Sequence, residues 1–124
     1  MPFVRAAETR RHETPNAVMS TLASPTLGDA HLALWRVEMI PGARGPEHTF
    51  DAEQVWTVVG GGAQVDLDGE VETVVPGDTL VLPAGILRRI AAGDEGFEAL
   101  VAAPTGGRAL LADGTDRGTP PWIA

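Results

Sequence analysis

The sequence predicts an all-β protein of short strands, in a sandwich or jelly-roll arrangement, on three observations. Fifteen glycines and ten prolines in 124 residues divide the chain into short segments, the punctuation of strands and turns rather than of long helices. Where a period is visible it is two, and no segment of useful length carries the helical period. Roughly eight to ten such segments follow one another at close spacing, which suits two packed sheets or a barrel. The length allows one domain with a real core, over 1–124, and is too short for two.

Residues 1 to about 16 are polar and mixed, ending in Thr14-Pro15-Asn16, and read as an arm or edge strand. Ala17 to Leu22 forms a short strand, closed by Ser24-Pro25 and Gly28-Asp29. In His31 to Ile40, Trp35, Val37 and Met39 fall on one face and Arg36 and Glu38 on the other, a strand with one buried side. Pro41-Gly42 ends it, and a polar loop from Ala43 to Glu47 follows. Gln54 to Val59 is β-branched and aromatic, and Gly60-Gly61-Gly62 is read as its stop. Ala63 to Leu67 and Val71 to Val75 flank Asp68-Gly69, residue types that tolerate the positive φ of a tight hairpin turn. Thr79 to Leu82 is expected as a buried strand between Pro76-Gly77-Asp78 and Pro83-Ala84-Gly85. Ile86 to Ala91 and Phe97 to Ala103 read as two further strands, separated by Gly93-Asp94-Glu95-Gly96. The Gly-rich tail from Thr105 ends in Pro120-Pro121-Trp122, with Trp122 expected to dock it onto the body.

Composition excludes several kinds of chemistry. Cysteine, tyrosine and lysine are absent, all nine basic residues being arginine. A disulfide frame, a thiolate zinc site, a Schiff base, a cysteine nucleophile and a tyrosine acid therefore have no residue to carry them. A net charge of −8 argues against a nucleic-acid partner, since phosphate binding needs a basic patch and Arg10-Arg11-His12 is too small to be one. No stretch approaches a membrane span. Arg5, Glu8, Arg10 and Arg11 interrupt any apolar signal core, so a cytoplasmic protein is expected. The carboxylates Asp66, Asp68, Glu70 and Glu72 read as the polar outer face of the hairpin and not as a calcium loop, whose ordered spacing is missing.

Two segments carry a resemblance. The first runs from Pro41-Gly42 through His48-Thr49-Phe50 and Glu53-Gln54-Val55-Trp56 to the glycine run. The second is Gly77-Asp78-Thr79-Leu80-Val81-Leu82-Pro83-Ala84-Gly85-Ile86-Leu87-Arg88. Their layout, with the hairpin between them, resembles the paired motifs of the cupin family, over about residues 30 to 104. The resemblance implies a double-stranded β-helix, or jelly-roll barrel, with an N-terminal arm and a C-terminal tail. In the family, the first motif gives two histidines one residue apart and then a glutamate or glutamine. The second gives another histidine three residues after its Pro-x-Gly turn, and together they hold a divalent metal.

Here only His48 and Gln54 match. Phe50 stands at the second histidine and Arg88 at the third. A shift by one residue would use Glu53, but would place Glu47 and Thr49 at the histidines, so whether Glu53 or Gln54 faces the lumen stays open. Phenylalanine has no lone pair to donate, and a permanent cation repels a divalent ion. No metal cofactor is therefore expected; any divalent ion held by His48 and Gln54 would be weak.

In place of the metal, strand alternation from Gln54 points Trp56 and Val58 inward. His48, Phe50 and Arg88 face the same space, Trp35, Val37 and Met39 are candidate walls, and Ala99 and Ala103 are small enough to leave room. The expected site is an apolar pocket for a small organic, anionic molecule. Arg88 would anchor its carboxylate or enolate oxygen and His48 would transfer a proton. Phe50, Gln54 and Trp56 would bind and orient it. For Arg88 the competing expectation is an ion pair with Glu53. Arg89 should be solvated, and neither His12 nor His31 has a motif around it. Three functions stay open: a metal-independent isomerase, cyclase or lyase; a non-catalytic binding or sensing cupin; and a metal-dependent dioxygenase. The resemblance also implies a homodimer.

Overall fold

A computed structural model describes residues 3–124. Beyond a single 3-10 turn at Ala6–Glu8, the regular structure among the described residues is ten strands: β1 (Arg10–Glu13), β2 (Val18–Ala23), β3 (Leu32–Met39), β4 (His48–Phe50), β5 (Gln54–Leu67), β6 (Glu70–Val74), β7 (Thr79–Leu82), β8 (Arg88–Pro104), β9 (Ala109–Leu111) and β10 (Asp116–Gly118). All pairings between them are antiparallel. No helix among the described residues is long and apolar enough to cross a membrane.

Two long strands make the architecture. The N-terminal part of β5 pairs with β7 and with the C-terminal part of β8, which pairs in turn with β3; β3 continues to β2 and β1. The C-terminal part of β5 pairs with β6 and with the start of β8, next to β4, β9 and β10. Both β5 and β8 thus pass from one sheet into the other, and the sheets close on a shared core.

The glycines read as stops are the corners of these strands. β5 runs through Gly60-Gly61-Gly62, with register shifts between Val58 and Gly60 and between Gly61 and Ala63. Such bulges bend a strand without ending it. Gly61 has φ +63°, and a Cβ there would lie 2.0 Å from the carbonyl oxygen of Gly96, so close an approach that only glycine fits. The same corner makes one strand of the two expected over Ile86–Ala91 and Phe97–Ala103. One further expectation fails. Thr79–Leu82 is an edge strand with only Leu82 buried, because it pairs with β5 alone. The tail, read only as docking through Trp122, also supplies β9 and β10.

Other readings match. Trp35, Val37 and Met39 are buried while Arg36 and Glu38 face outward. The β5–β6 hairpin turns at Asp68 (φ +51°) and Gly69 (φ +91°) with Leu67 opposite Glu70, as an Asp-Gly turn requires. Asp66 Oδ1 accepts the Gly69 N–H, which accounts for one of the hairpin carboxylates. The tail docks: Ile123 is buried, Trp122 packs against the core, and the Thr21 hydroxyl donates to the Trp122 carbonyl.

Candidate functional site in the barrel lumen

Sequence alternation and sheet register bring the predicted residues together. β4 lies between β8 and β9, with His48 directly opposite both Arg88 and Leu111. Opposed residues of paired strands share a face, so the imidazole and the guanidinium look into the same space. Gln54 begins β5, and Trp56, two residues on, shares its face. These residues line a cavity of about 540 Å³ together with Trp35, Val37, Met39 and Ile90. Trp122, Arg117, Leu110, Leu111 and the Thr14–Ala17 turn line it as well. Ala99 and Ala103 are buried in the core but do not line this cavity; Ile90 and Arg88 form that wall.

Arg88 is the centre of the site. It is 2% exposed. Its Nη2 donates to Gln54 Oε1 at 2.5 Å, and its guanidinium carbon lies 4.6 Å from the centre of the Phe50 ring. The position that supplies a second imidazole in the family motif here supplies a π face to a cation. Arg88 Nε and Nη1 are buried and have no acceptor, and the same holds for Nε1 of Trp35. Burial lowers the Arg88 pKa to about 10, which leaves it a cation at neutral pH. Glu53 is exposed and takes no part, so the ion pair considered from sequence is not made. Gln54 faces inward at 1% exposure.

Gln54 Oε1 also accepts the Trp56 indole N–H at 3.1 Å. Two donors on one atom fix that atom as the oxygen and occupy both its lone pairs. His48 is half-buried, with Nδ1 2.9 Å from the Pro46 carbonyl oxygen. A carbonyl can only accept, so Nδ1 carries the proton and Nε2 the free lone pair when the ring is neutral. Burial is the main cause holding the His48 pKa below its usual value, with the Arg88 charge adding to it and the Pro46 hydrogen bond opposing. The imidazole is therefore a neutral base at pH 7.

The donor set does not fit a tightly held divalent metal. Gln54 has no lone pair left, Arg88 brings positive charge, and no group of three His, Asp or Glu converges among the described residues. Elsewhere, Arg89 Nε donates to the Gly45 carbonyl, so it is not a freely solvated charge, while His31 is exposed and His12 sits on β1 outside the cavity lining. Sequence reasoning missed Arg117 and the indole N–H of Trp35. Arg117 is followed by a glycine, as bulged residues often are, and that was its only local signal.

A family model described as "Cupin domain" matches residues 35–102. The chain belongs to the cupin family. Among solved structures, this cupin is similar to KdgF from Halomonas sp., at 24% identity and TM-score 0.69, over 82% of this chain and 92% of that one. It is similar to an RmlC-like cupin from Shewanella frigidimarina, at 19% identity and TM-score 0.71, over 82% and 88%. Oxalate decarboxylase from Bacillus subtilis, a protein with Mn(II) centres, matches at 22% identity and TM-score 0.71, over 79% of this cupin and 28% of that longer chain. At these identities the likeness concerns the barrel alone. No curated protein matches the sequence.

Proposed function

We propose that this cupin binds a small organic anion in its lumen, without a metal, with Arg88 as the positive centre. One observation carries the reading: a buried arginine, stacked on Phe50, keeps Nε and Nη1 without acceptors inside a cavity. Burying donors unpaired is costly, and an anionic oxygen at Nη1 or at Nε would supply the missing charge-assisted acceptor. The chemistry that follows is of isomerase, cyclase or lyase type. In its simplest form His48 Nε2 takes a proton from the carbon beside the carbonyl or carboxylate held at Arg88. The electron pair of that C–H bond forms a carbon–carbon double bond as the C=O π pair moves onto the oxygen, whose negative charge Arg88 stabilises. Return of the proton to the same or a neighbouring carbon completes an isomerisation. Gln54 fixes the guanidinium, and Trp56 and Phe50 shape the apolar side. The reading includes a homodimer in the cytoplasm; the free outer edge of β1 and the exposed side chains of Val71, Val75 and Val81 support the dimer.

The test is a thermal-shift screen of carboxylic and keto acids with the wild type, Arg88→Ala and His48→Ala. Arg88→Ala should lose the ligands and His48→Ala should alter them; unchanged ligand profiles in both variants would end the proposal. For hits, loss of α-proton NMR signal in D2O separates a catalyst from a mere binder. Exchange promoted by the wild type and not by His48→Ala marks a catalyst. Binding without exchange favours the sensing alternative.

A further inference from the structure

The cavity holds a second arginine. Asp116 pairs with Leu110 and Gly118 with Ala109, so Arg117 is the extra residue of a bulge between them. Gly118 has φ +75°, the left-handed conformation that such a bulge needs. A bulge re-aims the side chain it carries, and Arg117, though exposed to solvent, lines the cavity. The neighbouring carboxylate does not neutralise it. Asp116 is engaged by Arg108 Nε at 3.0 Å and by the Gly118 N–H at 2.7 Å. Among the described residues Arg117 makes no hydrogen bond or ion pair.

The charge distribution sharpens this. The protein carries a net charge of −8, yet none of its 17 acidic residues lines the cavity, whereas two of its nine arginines do. Apart from Thr14, Asn16, His48 and Gln54, the side chains that line the cavity with the two guanidinium groups are mostly apolar, among them Trp35, Val37, Met39, Ile90, Leu110 and Trp122.

We propose that the ligand is a dianion whose two negative groups are separated by apolar atoms, one held at Arg88 and the other at Arg117. This rests on the reading of Arg88 as an anion anchor and adds Arg117 as the residue that selects a second charge. Arg88 is buried, where salt has little effect, and Arg117 meets solvent, where screening is strong. The two contacts therefore differ in salt dependence.

The experiment is calorimetric titration of the full chain with adipate, suberate and 1,4-phenylenediacetate, each beside its monomethyl ester. At low salt the wild type should prefer a diacid over its ester by roughly three- to fivefold, the scale of one exposed ion pair. The preference should close at about 0.5 M salt, where the screening length is only a few Å. Arg117→Gln should erase it without changing ester affinity, Arg117→Lys should keep part of it, and Arg88→Gln should abolish binding of both. Ester binding that depends on Arg88, with no diacid preference or one that Arg117→Gln leaves intact, overturns the dianion proposal alone. Binding of neither acid nor ester overturns the Arg88 reading with it.

Discussion

At the scale of the residue, Arg88 is held in a state that favours a ligand over stability. Its favourable contacts are one charge-assisted hydrogen bond to Gln54 and one cation–π contact with Phe50, worth about 1.5–3 and up to about 2 kcal/mol. Against them stand the desolvation of a full charge, several kcal/mol, and two buried N–H groups at about 1–3 kcal/mol each. Arg88→Met keeps the volume and the Trp56–Gln54 bond, so urea denaturation of the unliganded variant should show stability unchanged or raised by about 1–2 kcal/mol. Loss of anion binding should accompany it; marked destabilisation would identify Arg88 as structural. His48 gives a pH signature. Its pKa is lower in the folded protein than the usual 6.5, so near and below that pH the unfolded chain binds more protons. The contribution is complete above pH 6.5 and is lost as pH falls through the folded value. Denaturation at pH 7.5 and 5.5 should therefore show a steeper decline for the wild type than for His48→Asn. Arg88 and the three positions around it, His48, Phe50 and Gln54, were legible because motif spacing marks them even where the residue has changed. Arg117 was not, since no spacing rule identifies a bulge that depends on which strand lies opposite.

At the scale of the element, glycine in this sequence has two meanings that composition alone does not separate. Gly69 closes a hairpin and Gly61 turns a corner inside a continuous strand, and both have positive φ. The difference lies in what surrounds them: a Cβ at Gly69 meets nothing within 4 Å, while at Gly61 it meets backbone of Gly96. Gly69→Ala should cost about 1–2 kcal/mol, the left-handed penalty alone. Gly61→Ala adds a clash with main chain that cannot step aside, and should cost clearly more, read as a large drop in Tm or failure to fold. Equal losses at the two sites would show that the corner tolerates displacement. Boundaries were misread in β5 and β8 for this reason, whereas β3 and the β5–β6 hairpin were legible because alternation and Asp-Gly chemistry are local. The exposure of β7 was hidden because being at a sheet edge is a property of topology.

At the scale of the whole molecule, the barrel brings two arginines, one histidine, Phe50 and the three tryptophans to a single space, in a protein with a net charge of −8. The strand pattern predicted a sandwich or jelly roll, and the motif resemblance a barrel with a lumen. It did not reveal that β9, β10 and the docked Trp122 extend the wall, because three-residue strands carry too little pattern to be read before their neighbours are known. One consequence concerns light. The chain has three tryptophans and no tyrosine, and Trp35, Trp56 and Trp122 all line the cavity. Its near-ultraviolet emission therefore comes wholly from indoles that border the site. A ligand that displaces water there should quench or blue-shift the entire spectrum, with Trp122 reporting the outer part and Trp35 the interior. The unlabelled protein is its own binding sensor.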